Sequence, residues 1–175
     1  MHLNFEFKAR ARFIRPKEQI LLQHAPLFIG EDRQLDTYFH VPQGRLKLRE
    51  GKIENALIHY QRSNTAGAKE SKVLLYQHQP DPSLKQVLTA ALGVKVVVDK
   101  QRRIYFIENV KFHFDEVKEL GSFVEVEAID KDGSIGLEKL KEQCAQYIAL
   151  LQIAEEDFVA ESYSDLLMAK KSSTN

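Results

Sequence analysis

Residues 44–49, Gly44-Arg45-Leu46-Lys47-Leu48-Arg49, carry a cation at every second position. Side chains of an extended strand alternate between faces, so Arg45, Lys47 and Arg49 share one face and Leu46 and Leu48 the other. The pattern recurs along the chain. Glu6, Lys8, Arg10 and Arg12 alternate with Phe5, Phe7, Ala9 and Ala11, Lys100 and Arg102 sit two apart, and Glu125 and Glu127 share a face. The charges are also sorted by strand. Cations dominate 45–49 and 100–102, whereas carboxylates dominate 123–129 with Asp115 beside them. A surface selected only for solubility intersperses the signs. Arg forks and Lys point charges suit phosphate oxygens, and carboxylates suit a hard divalent cation that bridges to phosphate. The combination points to a site for a polyphosphate and its metal.

A plainer reading competes with this one, because antiparallel sheets commonly leave one charged face in water. These faces, however, are rich in Arg and Lys and poor in small polar residues. A closed barrel would gather them around a bore, with amphipathic helices covering the apolar outer faces. So many buried charges are costly unless the bore holds water, ions or an anionic ligand.

The elements that must position these groups follow from periodicity. Strands are expected at Asn4–Phe13, Leu27–Arg33, Asp36–Phe39, Arg45–Arg49, Ala56–Arg62, Lys72–Gln77, Val110–Val117 and Phe123–Ile129, and Val94–Val98 runs into Lys100–Ile107. Pro16 opens a short helix to about Gln23. Asp81-Pro82 opens another with Leu84, Val87, Leu88 and Ala91 on one stripe, ended by Gly93. A long helix over Leu137–Leu151 has Leu137, Leu140, Cys144, Tyr147, Ile148 and Leu151 as its expected buried stripe, and a short one is expected at Ser164–Met168. The polar stretch Ser63–Ser71 reads as a mobile loop. The fold class is α+β: about eight antiparallel strands in a barrel with helices packed outside. One domain spans 1–168, and 169–175 is expected to be a disordered tail.

Bulk properties fit a single globular domain. The chain has 175 residues, 43% hydrophobic and 29% charged, with a formal net charge of zero. A nonspecific nucleic-acid binder would carry a basic surplus, so no nucleic-acid partner is expected. The single cysteine, Cys144, cannot form an internal disulfide, which fits a reducing compartment. No apolar run approaches a membrane span, so a cytoplasmic protein is expected. There is no HxxxH pair, no GxxxxGK[ST] loop and no GxSxG elbow. His113 shares a face with Asp115, with packing as its expected role. Tyr38 is placed equally well in the bore or beneath it, and Tyr163 and Asp165 are expected to fix the C-terminal segment.

Glu6-Phe7-Lys8, Asp36-Thr37-Tyr38-Phe39, Gly44–Arg49, Lys100-Gln101-Arg102, Phe123-Val124-Glu125-Val126-Glu127 and Ser162–Leu167 together resemble the CYTH superfamily, the triphosphate tunnel metalloenzymes, and above all its class IV adenylyl cyclase-like branch. The resemblance covers about residues 4–167. It implies an eight-stranded tunnel that binds a nucleoside triphosphate or inorganic polyphosphate with Mg²⁺ or Mn²⁺. Members cyclise ATP to cyclic AMP and pyrophosphate, or hydrolyse tripolyphosphate or thiamine triphosphate. A homodimer is compatible with the family. By the resemblance, Lys8, Lys47, Arg49, Lys100, Arg102 and Arg62 hold phosphate. Glu6, Asp115, Glu125 and Glu127 hold metal, and Glu6, Lys8, Arg102 and Glu125 act on the reacting atoms. One position departs from the motif. Its first Glu is Asn4 here, which brings an acceptor without charge, and Glu127 is expected to compensate. A cyclase is the first expectation, a triphosphatase the second, and a polyphosphate-binding module without turnover the third.

Overall fold

The computed structural model describes residues 2–173. Eight strands close into an antiparallel barrel in the order β1-β5-β4-β3-β2-β6-β7-β8. They are β1 (His2–Arg10), β2 (Leu27–Phe39), β3 (Arg45–Glu50), β4 (Ala56–Arg62), β5 (Lys69–Gln77), β6 (Val94–Ile107), β7 (Val110–Val117) and β8 (Gly121–Asp130). Closure comes from β1, which pairs with β5 on one side and β8 on the other, setting Glu6 opposite Glu127 and Lys8 opposite Glu125. Four α-helices lie outside: α1 (Ile14–Leu22), α2 (Pro82–Leu92), α3 (Leu137–Leu150) and α4 (Tyr163–Ser172).

The barrel is inverted relative to an oil-filled one. Phe7, Ala9, Phe112, Phe114, Val124 and Val126 point outward and form a buried core with Leu21 of α1 and Leu140, Cys144 and Tyr147 of α3. The alternate positions of the same strands carry Glu6, Lys8, His113, Asp115 and Glu125, all at most 9% exposed. Period-two alternation therefore sorts two buried faces, one apolar and one ionic. Cys144 is a core thiol whose Sγ lies 3.1 Å from the Phe5 carbonyl, and burial pushes its pKa up to about 12.

Several boundaries differ from expectation. The two strands expected over 27–39 are one, because Gln34 and Leu35 pair in unbroken register with Lys100 and Asp99; the register shifts of this pair lie at Phe28/Gly30 and Tyr38/Phe39. β1 stops at Arg10, and α1 starts at Ile14, before Pro16. β5 begins at Lys69, so the expected loop 63–71 loses its last three residues to the sheet. Asp81 caps α2 as expected, but no residue of α2 is buried; its apolar stripe is left largely uncovered. The expected tail is helical to Ser172. A Ser162–Asp165 capping box starts α4, and Lys170 and Lys171 favour its C-terminal dipole. Residues 174 and 175 of that expected tail lie outside the described residues.

Candidate active site

The bore is a cavity of about 750 Å³. Eight cationic side chains and five carboxylates line it, a surplus of three positive charges. The register explains how they meet. β2 pairs with β3 so that Asp36 faces Arg49 and Tyr38 faces Lys47; β6 pairs with β7 so that Arg102 faces Asp115.

Asp36 is the hub of one cluster. Its carboxylate accepts from Lys47 Nζ at 2.9 Å, from Arg49 Nε and Nη2 at 2.9 and 3.0 Å, and from Lys100 Nζ at 2.7 Å. Burial alone would raise its pKa, but Arg49, Lys100 and Lys47 together hold it well below the usual carboxylate range. Burial has the opposite consequence for Lys100, which falls to about 7, with Asp36 resisting and Arg49 and Arg102 assisting.

The second cluster is built on Arg102. It donates to Asp115 at 2.7 and 2.5 Å and to Glu125 at 2.9 Å. Tyr163 adds its hydroxyl to Asp115 at 2.8 Å. Asp115 thus fixes Arg102 through three accepted hydrogen bonds and is not among the residues lining the bore. Lys8 stands 3.7 Å from Glu125 and 4.1 Å from the centre of the Tyr163 ring. Burial lowers its pKa to about 8, against the pull of Glu125. Arg62 donates to Glu6 at 2.6 Å.

Glu125, Glu127 and His113 converge, with one ligand atom from each lying within 4.8 Å of the others. Glu127 is pushed up to about 7 by burial and by its neighbours Glu125 and Glu6. Glu125 is held well below the usual range, where Lys8 and His113 outweigh its burial. Burial, then Arg102, lowers His113 to about 3, which leaves a neutral imidazole. His113 Nδ1, beside both carboxylates, has no hydrogen-bond partner in the protein. Two convergent carboxylates and an unpartnered imidazole nitrogen form a donor set that fits a divalent ion.

Of the expected site residues, Glu6, Lys8, Lys47, Arg49, Arg62, Lys100, Arg102, Glu125 and Glu127 all line the bore. Four more charged groups line it, Asp36, Lys52, Glu54 and Lys111, and His113 lies beside Glu125 at 3.5 Å. Asp36 was on the right face of β2, two residues from Tyr38, and the antiparallel register against Lys47 and Arg49 is the signal that finds it. Glu54 had no such signal. It is carried by the β3–β4 loop, which Asp32 folds inward by accepting the backbone N–H groups of Lys52, Ile53 and Glu54. Glu54 then pairs with Arg49 at 2.8 Å and with Lys111. Tyr38 lines the bore beside Tyr60, their hydroxyls 3.5 Å apart.

The two ends of the bore differ. At one end the C-terminal segment is stitched down: Val159 N–H donates to the Lys8 carbonyl, Lys69 Nζ to the carbonyls of Ala160 and Thr65, and Arg45 to Asp165 at 2.7 Å. The other end lies between the loops at 51–55 and 77–80, where Ile53 and Leu75 are 41% and 47% exposed. One wall, made by Ala56 and Ile58 of β4 and Val73 and Leu75 of β5, is apolar.

A closed antiparallel barrel with a cation-lined bore and convergent carboxylates defines a class of tunnel proteins. The CYTH domain profile matches residues 2–163, and the chain belongs to the CYTH family. Among solved structures it is similar to the PH1012 protein of Pyrococcus horikoshii, with 24% identity, a TM-score of 0.75, and coverage of 95% of this chain and 99% of that one. It is also similar to a candidate adenylate cyclase of Vibrio parahaemolyticus, with 17% identity, a TM-score of 0.76, and coverage of 95% and 98%. A third likeness is to an adenylyl cyclase candidate from Hippeastrum, described as having a dominant triphosphatase activity, with 13% identity, a TM-score of 0.58, and coverage of 98% and 96%. No curated protein sequence matches the chain significantly. No helix among the described residues is long and apolar enough to cross a membrane.

Proposed function

We propose that the protein is a metal-dependent enzyme acting on a nucleoside triphosphate, with cyclisation of ATP to cyclic AMP and pyrophosphate as its leading reaction. The observation that carries this is the pairing of a cationic wall and an apolar wall in one cavity of about 750 Å³. The size falls in the range of ligand pockets. A bare polyphosphate makes no use of Ala56, Ile58, Val73 and Leu75, whereas a purine does. The phosphates would enter past Ile53 and Leu75 and lie against Lys8, Arg49, Arg62, Lys100 and Arg102, with Lys47 completing the set. These cations would hold the chain in line for displacement and take up charge on the leaving pyrophosphate. Asp115 and Tyr163 would keep Arg102 aimed. Glu125 and Glu127, with Glu6 beside them, would hold Mg²⁺ or Mn²⁺, which would supply Lewis acidity toward an attacking hydroxyl.

Hydrolysis of the terminal phosphate is the second reading. Glu125 lies beside Lys8 and Arg102, toward the end lined by Ser162 and Tyr163, where the last phosphate of an entering chain would stop. A cytoplasmic location and a homodimer belong to the same proposal. Exposed Leu74, Tyr76 and Val87 offer the dimer an apolar outer face.

Phosphorus NMR of the protein with ATP or tripolyphosphate, each with Mn²⁺ or Mg²⁺ and with a chelator control, tests these readings. Cyclic AMP plus pyrophosphate is the expected product. Orthophosphate without cyclic nucleotide would transfer the assignment to hydrolysis, and no turnover in any tube would reject both.

A further inference from the structure

We propose that the imidazole of His113 joins Glu125 and Glu127 as a ligand of the tunnel's divalent cation, and that this nitrogen makes the site favour Mn²⁺ over Mg²⁺. The inference rests on the reading of the bore as a metal-dependent site and goes beyond it by naming a ligand and a preference.

His113 is 1% exposed, and its Nδ1 has no hydrogen-bond partner. Buried polar atoms are rarely left so. Nδ1 stands 3.5 Å from Glu125 Oε2 and 3.7 Å from Glu127 Oε1. Those distances are long for hydrogen bonds. An octahedral ion with donors about 2.1 Å away holds neighbours about 3 Å apart, so the three groups would draw in by roughly half an ångström around a shared cation. Rigid pairing holds the arrangement. His113 sits directly opposite Glu125 across the β7–β8 ladder, and Lys111 sits opposite Glu127.

The nitrogen decides the selectivity. Mg²⁺ takes oxygen ligands almost exclusively and sheds water reluctantly. Transition-metal dications accept imidazole, and a mixed histidine–carboxylate set suits them. One adjustment is required. Nε2 lies 3.5 Å from Arg102 Nη1, and ligation through Nδ1 leaves the ring proton on Nε2, facing that cation. Arg102 must turn away from the ring, and a phosphate in the bore is the group that would draw it. Metal and phosphate should therefore bind with positive coupling.

The test is pulsed electron paramagnetic resonance of Mn²⁺ bound to the purified protein, alone and with inorganic pyrophosphate. Protein carrying ¹⁵N-labelled histidine assigns any nitrogen signal. The expected result is a directly coordinated histidine nitrogen in the wild type, and at least a tenfold fall in the Mn²⁺-to-Mg²⁺ affinity ratio in His113→Gln and His113→Asn, the loss typical of altered metal shells. His113→Asn keeps an oxygen near the Nδ1 position and should retain Mg²⁺ binding. Bound Mn²⁺ without histidine coupling, or an unchanged ratio in folded variants, overturns the proposal and leaves the metal-dependent reading standing. No Mn²⁺ binding to the wild type, with or without pyrophosphate, overturns both. The labelled wild-type measurement needs no variant, so a misfolded substitution does not block the decision.

Discussion

Replacing Asp36 by Asn should destabilise the free protein and enlarge its response to tripolyphosphate. Asp36 is 1% exposed and accepts four charge-assisted hydrogen bonds from three cations. Asn keeps the shape but removes the charge and turns a donor toward those cations. Breaking a buried ion pair by deleting one partner costs about 3–5 kcal/mol. Two features hold the loss to that range here. Arg49 retains Glu54 at 2.8 Å, and Lys100, already near pKa 7, can shed its proton. For a chain of this length the corresponding fall in melting temperature is roughly 6–20 °C. Urea denaturation with and without tripolyphosphate, in metal-free buffer at constant ionic strength, measures both effects. The anion should restore more stability to Asp36→Asn than to wild type, because it supplies the missing counter-charge. A variant within about 1 kcal/mol of wild type would refute the hub role of Asp36, set against the loss that such a deletion should cause. A smaller ligand response in the variant would refute the placement of phosphate on Lys47, Arg49 and Lys100.

Other perturbations have equally definite outcomes. The folded pKa of Glu127 is raised to about 7, above its unfolded value, so its carboxyl favours the fold at low pH and that contribution is lost as pH rises toward 7. Glu127→Gln should therefore match wild type below pH 4.5 and exceed it by about 2–4 kcal/mol above pH 7.5 in metal-free buffer; a pH series of urea titrations checks the sign, and added Mn²⁺ should erase the difference. Tyr163→Phe removes one hydrogen bond to buried Asp115 and should cost about 1–2 kcal/mol, while turnover falls if Arg102 loses its aim; steady-state kinetics beside a melt separates the two. Gly51→Ala places a methyl group 2.5 Å from Asp32 Oδ2 and 2.9 Å from the Glu54 carbonyl. It should cost about 1–3 kcal/mol and weaken the seating of Glu54 against Lys111, seen as a changed ammonium resonance of Lys111.

Strand alternation made the barrel legible because both faces are buried and chemically opposite. Spacing alone set Lys8, Arg49 and Glu125 on the charged faces of their strands. The same inversion hid other features. Gln34 and Asp99 fell between the expected strand segments, since polar residues in mid-strand ordinarily mark an end; here Gln34 is fully buried inside one strand. Asp115 was visible as an inward carboxylate, but its partners Arg102 and Tyr163 come from elements 13 and 48 residues away. Only the assembled barrel shows that it holds Arg102 and Tyr163 in place. Glu54 is a loop residue with no periodicity, placed by contacts to Asp32 across 22 positions. The stripe on α2 has helical spacing and a good cap, yet periodicity states which residues share a face and not what covers that face.

The dual pairing of β1 sets the order in which the chain can acquire its structure. His2–Glu6 waits for Lys69–Val73, and Leu3–Arg10 waits for Phe123–Asp130. During synthesis the first strand has half its ladder available only after β5 emerges and the rest only after β8. Contacts this distant in sequence make closure slow. Until then Phe7 and Phe112 lack the cover that α3 later gives them, and the future bore is an open sheet with its cations in water. The last step of folding is thus also the step that confines Lys8, Arg102 and Glu125 together. Ionic repulsion and desolvation in the bore oppose ring closure, and the salt and anion content of the medium becomes a control on folding rate.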